Sequence, residues 1–317
     1  MKKHKTISKF KKGDKIQGFY LCTEKNLKQT KGGDLFLDLE LRDITGNING
    51  KVWENIKNFN DKFDSGNAVA VSGYVDSYLD RLHLNIKKIN KATVQYYGRY
   101  GFDPANIVPT SKKDPEKMWG DIERTINSIK EKRLQKLLGI IYKSNKKKLM
   151  THPGSLKLNH NYRSGLLEHI FNTINIAKKV HYLYDVDFDL AIAGLLIVKI
   201  GIIEEISSGY EFENTKKGSL LGSGALGIEI LFDAVRRIRN FPNELRLKLE
   251  HIILTNQIFD SSRNKNKPSF PEALFVQMVI LMDSNMNLME IILDNDQNIG
   301  DFTNKNNFFH IPILKKR

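Results

Sequence analysis

Cysteine is almost absent from this chain, since Cys22 is the single cysteine among 317 residues. One thiol excludes an intrachain disulfide and a zinc site built from several thiolates. Long hydrophobic runs are also absent, and none approaches the roughly 20 residues that an α-helix needs to span a bilayer. The basic N-terminus, MKKHKTISKFKKGDK, is not followed by an apolar segment and so differs from a secretory signal. These absences predict a cytoplasmic protein that does not bind membranes.

The chain has fewer acidic than basic residues. The chain has 50 Lys and Arg against 36 Asp and Glu, which gives a formal net charge of +14 and a pI of about 9.5. This excess predicts a polyanionic partner, because Lys and Arg neutralise phosphates. A genome composition biased towards Lys and Asn would produce the same charge. Hydrophobic residues make up 40%, which is enough for compact cores, and the length suggests two domains.

The first part of the chain has the residue pattern of strands. Residues 34–42, DLFLDLELR, alternate strictly between leucines and other side chains, which predicts a half-buried strand. Further strands are predicted in KIQGFYLCTEKN, INGKVW, NAVAVSGYVDSYL and RLHLNIKKI, and ENIKNFNDKF has helical spacing. Three strands, a short helix and two strands are the order of an OB-fold barrel. We therefore predict an OB-fold over residues 12–95, after a basic arm at residues 1–11.

An OB-fold barrel binds single strands on the outward face of its second and third strands and in the adjoining loops. The predicted nucleic-acid-binding residues are Lys25, Lys28, Lys31, Phe36, Lys51, Trp53, Tyr78 and Arg81. Their rings would stack on bases and their cations would follow the phosphates. The alternative for two of the rings is packing, in which Trp53 caps the barrel and Phe36 contacts the neighbouring domain.

The rest of the chain has helical spacing. Residues 96–116 have no clean period and contain several glycines and prolines, which predicts a linker. Nearly every segment of residues 117–295 has the spacing of an amphipathic or buried helix, and residues 296–317 form a polar tail. The predicted fold class is multidomain, with an N-terminal all-β OB-fold barrel followed by an all-α helical domain.

These features together resemble the YhaM-type 3'-to-5' exoribonucleases, which combine an OB-fold with an HD domain. The resemblance covers nearly the whole chain. In the barrel it is carried by GFYL, FLDLELRDITGNINGKVW and VSGYVDSYLDRLHLNIKKI, and in the helical part by HNYRSGLLEHI. The segments LLGSG, HIILTNQ and LMDSNMNLM are similar to family segments that carry metal ligands. The resemblance implies that the helical domain is of the HD type.

HD domains bind one or two divalent ions with scattered His and Asp side chains, which leave coordination positions for water and phosphate. The resemblance places the vestiges of that site at His160, His169, Val198, Lys199, Ser223, His251, Asn256, Gln257 and Asp283. Val198 and Lys199 stand where the His-Asp pair of the family is expected. Of the family's ligands, His169 and Asp283 remain, and a catalytic metal site usually needs at least three protein ligands. We therefore predict no catalytic residue and no bound metal, with His160 and His251 as satisfied core or cleft histidines.

Lys199 lies in the apolar segment LLIVKIGII, where an unpaired buried ammonium would cost several kcal/mol. One hypothesis is that its amine replaces the metal and pairs with the Asp283 carboxylate, with His169 or Asn256 as hydrogen-bond partners. The alternative is that Lys199 extends its amine to solvent over a buried stem.

The predicted function is the binding of single-stranded RNA or DNA, RNA in particular, by a relative of exoribonucleases that lacks metal-dependent nuclease activity and needs no cofactor. One alternative is an active 3'-to-5' exoribonuclease that uses a divalent metal such as manganese at an altered site. A second alternative is a structural or partner-binding pseudoenzyme. Both domain types are compatible with a homo-oligomer.

Overall fold

The computed structural model describes residues 5–79, 81–256 and 267–315, which form two compact units. We call them the barrel unit, Met1–Thr110 with Gly209–Glu211, and the helical unit, Ser111–Ser208 with Phe212–Arg317. The fold class predicted from the sequence, a β-barrel followed by a helical region, is confirmed.

The barrel unit is a closed five-stranded barrel with the strand order β1-β2-β3-β5-β4. Its strands are β1 (Lys15–Gln29), β2 (Leu35–Asp43), β3 (Gly46–Val52), β4 (Ala68–Tyr78) and β5 (Arg81–Lys91), with helix α1 (Ile56–Asn60) between β3 and β4. The pairing of β3 with β5 is parallel and the other pairings are antiparallel. The alternation of β2 buries Leu37, Leu39 and Leu41 in the barrel interior and leaves the intervening side chains outside.

The barrel unit includes more residues before β1 and after β5 than the sequence pattern predicts. In the predicted basic arm, Ile7 and Phe10 are buried in the barrel core, and the Ile7 amide donates to Asp43 Oδ2 at 2.8 Å. In the predicted linker, helix α2 (Val94–Tyr97) is followed by short 3₁₀ turns, and Phe102 and Val108 are buried. Apolar side chains in these segments cover the barrel ends, so residues 96–110 belong to the barrel unit.

The helical unit consists of helices packed around one hydrophobic core. The helices are α3 (Pro115–Ser128), α4 (Lys132–Leu149), α5 (Gly165–Val180), α6 (Phe188–Ile197), α7 (Ile202–Glu205), α8 (Lys216–Val235), α9 (Asn243–Thr255) and α10 (Pro271–Asn295). Helix α6 is buried along nearly its whole length, because apolar residues occur on all its faces. Helices α5, α9 and α10 pack against it. The described part of the predicted polar tail folds back on itself, since Phe302 pairs with Leu314 and Ile313 is buried.

Helices α8 and α10 are long and apolar enough to cross a membrane by length and composition, with mean hydropathies of 1.4 and 1.3. Core helices of soluble proteins meet the same criterion, so two such helices are weak evidence for a membrane span. Helix α10 also carries the buried Asp283, whose partners lie elsewhere in the helical unit. The criterion therefore does not indicate a membrane protein.

Candidate functional site

Two aromatic rings lie side by side on the outer face of the barrel. The pairing of Leu37 with Val52 places Phe36 of β2 beside Trp53, which directly follows β3. The ring centroids are 4.7 Å apart and the ring planes differ by 22°, which is a stacked arrangement. Trp53 is 44% exposed. Phe36 therefore packs against Trp53. Because Trp53 is half exposed, the ring pair also presents an aromatic surface to solvent.

Lys51 lies next to this ring pair, which we call the aromatic platform. Its Nζ is 5.9 Å from the centroid of Phe36 and 5.8 Å from that of Trp53. A cation at this distance is attracted by both ring quadrupoles by about 0.5–1 kcal/mol at an exposed site. The platform therefore combines a surface for base stacking with a positive charge for a phosphate.

Four of the other predicted binding residues of the barrel divide into two groups, and the fifth, Lys28, lines the groove described below. Lys31, Tyr78 and Arg81 are exposed at the ends of strands, although the turn predicted at Asp80 lies outside the described residues. Lys25 instead donates to the carbonyl oxygens of Asn60 and Phe63 at 2.5 and 2.6 Å, and its side chain is 12% exposed. The prediction of a phosphate contact at Lys25 is corrected to a structural contact, because Lys25 donates to the carbonyls of the last residue of α1 and of the segment after it.

A groove of about 370 Å³ adjoins the platform on the same face, and the sequence pattern did not indicate it. It is lined by Glu24, Asn26, Lys28, Asp38, Leu39, Glu40, Asn47, Ile48 and Asn49. Burial raises the pKa of Asp38, but hydrogen bonds from Lys28 and Asn49 outweigh burial and lower it overall. Ionised carboxylates repel phosphates, so a backbone that follows this face would lie at the platform end rather than over the groove.

The helical unit contains a buried polar cluster around Asp283 of α10. Its Oδ2 is 2.7 Å from His160 Nε2 and 2.6 Å from His169 Nδ1, and all three side chains are at most 8% exposed. One potential ligand atom from each residue lies within 4.8 Å of the others. We call these three residues the Asp283 triad. The resemblance left two ligands, His169 and Asp283, and the structure brings His160 to them as a third.

His160 reaches the triad because its backbone adopts a left-handed conformation with φ of 51°. A Cβ at Gly165 would lie 2.1 Å from the His160 carbonyl oxygen, so only glycine permits this approach. The Asn287 side chain accepts the His160 amide at 2.6 Å. These backbone contacts hold the imidazole against α10.

The pKa of Asp283 is held well below its ordinary range. Burial raises this pKa, but the hydrogen bonds from His160 and His169 more than offset it. Since an ionised carboxylate can only accept, the imidazole nitrogens that face it both carry hydrogens. The other nitrogen of His160 contacts the Tyr162 hydroxyl at 3.0 Å, and that hydroxyl donates to Glu168. The triad thus continues into a hydrogen-bonded chain.

His169 has a different environment from His160. Burial lowers its pKa, the Asp283 carboxylate raises it, and the nearby Lys199 ammonium lowers it further. Its Nε2 is buried and has no hydrogen-bond partner within the described ranges. Lys199 therefore lies close enough to act on the triad electrostatically.

Among the described residues, no ion pair within 4 Å joins Lys199 to Asp283, and the proposed pairing stays a prediction. In the described parts of the chain, the nitrogen-bearing side chains that pair with the Asp283 carboxylate within 4 Å are the two imidazoles. Burial lowers the pKa of Lys199, and the Glu205 carboxylate raises it. The histidines occupy the space around Asp283 because α5 and the loop before it approach α10 there.

The remaining vestigial positions make other contacts. Val198 is buried in the core, and His251 accepts from the Ser269 amide at 3.1 Å. Asn256 donates to the Ile252 carbonyl within α9, and Gln257 lies outside the described residues.

Ser223 lies in α8 against the turn after α6. A Cβ at Gly201 would be 1.9 Å from the Ser223 carbonyl oxygen, which explains the glycine in LLIVKIGII. The glycine thus serves the close packing of this turn against α8.

The donor set lacks the His-Asp pair of the metal site that the resemblance implies, and three potential ligand atoms remain in the described part of the chain. A ring nitrogen that carries a hydrogen cannot bind a cation, so the two nitrogens facing Asp283 would first have to lose their protons. Val198 offers no ligand atom, and the Lys199 ammonium places positive charge near His169. As arranged, both imidazoles are hydrogen-bonded to the Asp283 carboxylate, while His169 Nε2 has no hydrogen-bond partner within the described residues.

Comparisons with known proteins give consistent similarities. Residues 23–92 match the tRNA anti-codon family, an OB-fold nucleic acid binding domain. The chain is 26% identical to the 3'-5' exoribonuclease YhaM of Oceanobacillus iheyensis, over 92% of this chain and 91% of the relative. It is 24% identical to the protein of that name from Bacillus subtilis, over 96% and 97%.

Among solved structures, the second OB-fold domain of replication protein A from Methanococcus maripaludis is similar, with 23% identity and a TM-score of 0.24. The similarity covers 28% of this chain and 94% of that domain.

Proposed function

We propose that this chain, a homologue of the 3'-5' exoribonuclease YhaM proteins over nearly its whole length, binds single-stranded nucleic acid through the outer face of its barrel. The aromatic platform carries this proposal. Two stacked rings with an ammonium beside them offer a base a π-face and its phosphate a counter-charge. RNA is the proposed polymer, because the relatives are named exoribonucleases.

The charge of the chain supports the same proposal. A net charge of +14 attracts polyanions and accelerates encounter, while the platform provides the local contacts. The carboxylates of the adjoining groove restrict where phosphates can lie, which favours one path of the strand across the face. We propose that bases face the groove and that the backbone follows Lys51.

We further propose that the helical unit does not hydrolyse the bound strand by metal chemistry. Metal-assisted hydrolysis needs a cation that polarises the phosphodiester and activates water. The sequence has Val198 and Lys199 where the resemblance places the His-Asp pair. The observation that supports inactivity is that the Asp283 carboxylate is hydrogen-bonded to both histidines that could serve as ligands.

An active exoribonuclease is the second candidate, and one observation favours it. His160, His169 and Asp283 each place one potential ligand atom within 4.8 Å of the others. Three protein ligands are the usual minimum of a catalytic metal site. A third candidate is a structural pseudoenzyme without nucleic-acid binding. For the native protein we propose a cytoplasmic location, and self-association is compatible with each candidate.

One assay separates the three candidates. Purified protein is incubated with 5'-labelled single-stranded RNA, or with DNA of the same sequence, with and without manganese, and both gel shift and shortening are followed. We expect a shift without shortening. Asp283→Asn, which keeps the size of the side chain and removes its charge, is the matched variant for the helical unit.

The outcomes are distinct. Manganese-dependent shortening that disappears in Asp283→Asn would establish the active exoribonuclease and refute the non-hydrolytic proposal. Absence of both shift and shortening would refute nucleic-acid binding and favour the third candidate. A stronger shift with DNA than with RNA would overturn the proposed polymer.

A further inference from the structure

Asn85 of β5 is a buried polar residue next to the aromatic platform, and it is 8% exposed. Its Oδ1 accepts a hydrogen bond from Trp53 Nε1 at 3.2 Å. The indole nitrogen can only donate, so the carboxamide must present its oxygen rather than its nitrogen. The bond links a ring that is 44% exposed to a side chain of the barrel wall.

The backbone of β5 is positioned at this residue by a glycine on the neighbouring strand. The register between β4 and β5 shifts between Ser72 and Gly73, where one extra residue of β5 forms a bulge. A Cβ at Gly73 would lie 2.1 Å from the Asn85 carbonyl oxygen and 3.1 Å from Ile86 Cα. The lack of a side chain at Gly73 therefore permits the close approach that sets Asn85 beneath the indole.

The geometry leaves Trp53 with two fixed contacts and one open surface. The stack on Phe36 sets the plane of the indole, and the bond to Asn85 sets its rotation within that plane. A half-exposed tryptophan without the second contact would populate several rotamers, and a ligand would have to immobilise it on binding. Fixing the ring beforehand removes that cost from the binding step.

We infer that Asn85 is a positioning residue for nucleic-acid binding, which holds the Trp53 indole in its stacking orientation without touching the ligand. The inference rests on the proposed function of the barrel. It assigns a role in ligand affinity to a residue that is buried and that carries no charge.

The test combines Asn85→Leu with Trp53→Phe in a double-mutant cycle, read by the anisotropy of a labelled single-stranded RNA. Leucine keeps the branching and the number of side-chain heavy atoms of asparagine and removes the acceptor, while phenylalanine keeps a ring and removes the donor. We expect Asn85→Leu to weaken RNA binding by about 3- to 10-fold, which corresponds to one hydrogen bond. In the Trp53→Phe background we expect Asn85→Leu to have no further effect.

A second readout reports on the ring itself. The chain has two tryptophans, Trp53 at 44% and Trp119 at 2% exposure, so acrylamide quenches mainly Trp53. We expect stronger quenching in Asn85→Leu before RNA is added, because the indole is then free to turn outward. Asn90→Leu is the matched control, since Asn90 is an exposed asparagine on the same strand.

Each outcome decides the inference. Wild-type affinity and quenching in Asn85→Leu would overturn it, and so would equal weakening in both Trp53 backgrounds, which would indicate a general effect on the barrel. If Asn85→Leu does not fold, Trp53→Phe removes the same hydrogen bond by deleting its donor. Wild-type RNA affinity in Trp53→Phe would also overturn the inference. Failure of the wild-type protein to bind RNA would refute the proposed function instead.

Discussion

The barrel unit and the helical unit place their polar residues in opposite ways. On the barrel, Lys51 and Trp53 are directed outward, where solvent can replace any contact that is lost. In the helical unit, His160, His169 and Asp283 lie inside the core, where both imidazoles are hydrogen-bonded to the carboxylate. A surface residue can therefore be specialised for a ligand at little cost to folding. A buried polar residue is held in place by its partners whether or not it takes part in a reaction.

This difference affects how each region indicates function. The aromatic platform is partly exposed, and its stacked rings with the adjacent ammonium support the proposed binding. The hydrogen bonds of the Asp283 triad have a structural explanation, because a buried carboxylate needs hydrogen-bond donors, but this does not account for the Nε2 of His169, which has no partner in the described ranges of the chain. The presence of the triad is therefore compatible both with a metal site and with a closed polar core.

The comparison predicts its largest effect at Asp283. Asp283→Ala leaves two buried imidazoles without their acceptor, and we expect the free energy of unfolding of the helical unit to fall by about 3–5 kcal/mol. Denaturant titration followed by circular dichroism measures the change. RNA binding by the barrel should persist under native conditions.

Asp283→Asn provides the control, because its carboxamide oxygen still accepts one hydrogen bond and it should destabilise the helical unit less than Asp283→Ala. Wild-type stability of Asp283→Ala would show that the imidazoles find other partners, and the contrast between the two units would then be lost.

A smaller effect is expected on the barrel, and it should change binding rather than stability. Trp53→Ala removes a stacking surface that is worth about 1–3 kcal/mol per base, so RNA affinity should fall by roughly 5- to 150-fold. Lys51→Ala should reduce the dependence of log affinity on log salt by about 0.7, the value for one phosphate on a single strand.

Fluorescence anisotropy over a range of salt concentrations measures both quantities. Lys57 on α1 is exposed, and Lys57→Ala should leave the salt slope unchanged. Unchanged affinity in Trp53→Ala would place the binding site on another face of the molecule.

Much of the fold could be predicted from the sequence, because the alternation in DLFLDLELR and the helical spacing of the later segments report burial directly. The resemblance to YhaM-type proteins is confirmed by relatives that cover 92–98% of the chain. The linker was predicted too broadly, since Phe102 and Val108 cover the end of the barrel and sequence spacing cannot reveal such a contact.

The sites were harder to predict. The position of His160 depends on its own left-handed backbone conformation and on the close approach of Gly165. The role of Asn85 depends on a register shift opposite Gly73. Both are consequences of long-range backbone contacts. The contact of both histidines with Asp283 was also missed, because His160 and His169 are distant from Asp283 in the sequence.

Acidification should produce the smallest effect, and it should act through the helical unit. Burial lowers the pKa of His152 and of His169 below their ordinary value near 6.5. Below that pH the unfolded chain takes up protons at these positions that the folded chain does not, so the free energy of unfolding should decrease as the pH falls. Denaturant titrations at about pH 7.5 and pH 5.5 measure the difference.

The control for this prediction is an exposed histidine. His310→Gln should leave the difference between the two pH values unchanged, because solvent surrounds His310 in the folded protein as well. A free energy of unfolding that stays constant or increases on acidification would mean that the folded protein binds protons at least as strongly as the unfolded chain. The Asp283 carboxylate would then hold an imidazolium within the triad, and a buried ion pair rather than a neutral hydrogen-bonded core would distinguish the helical unit from the barrel.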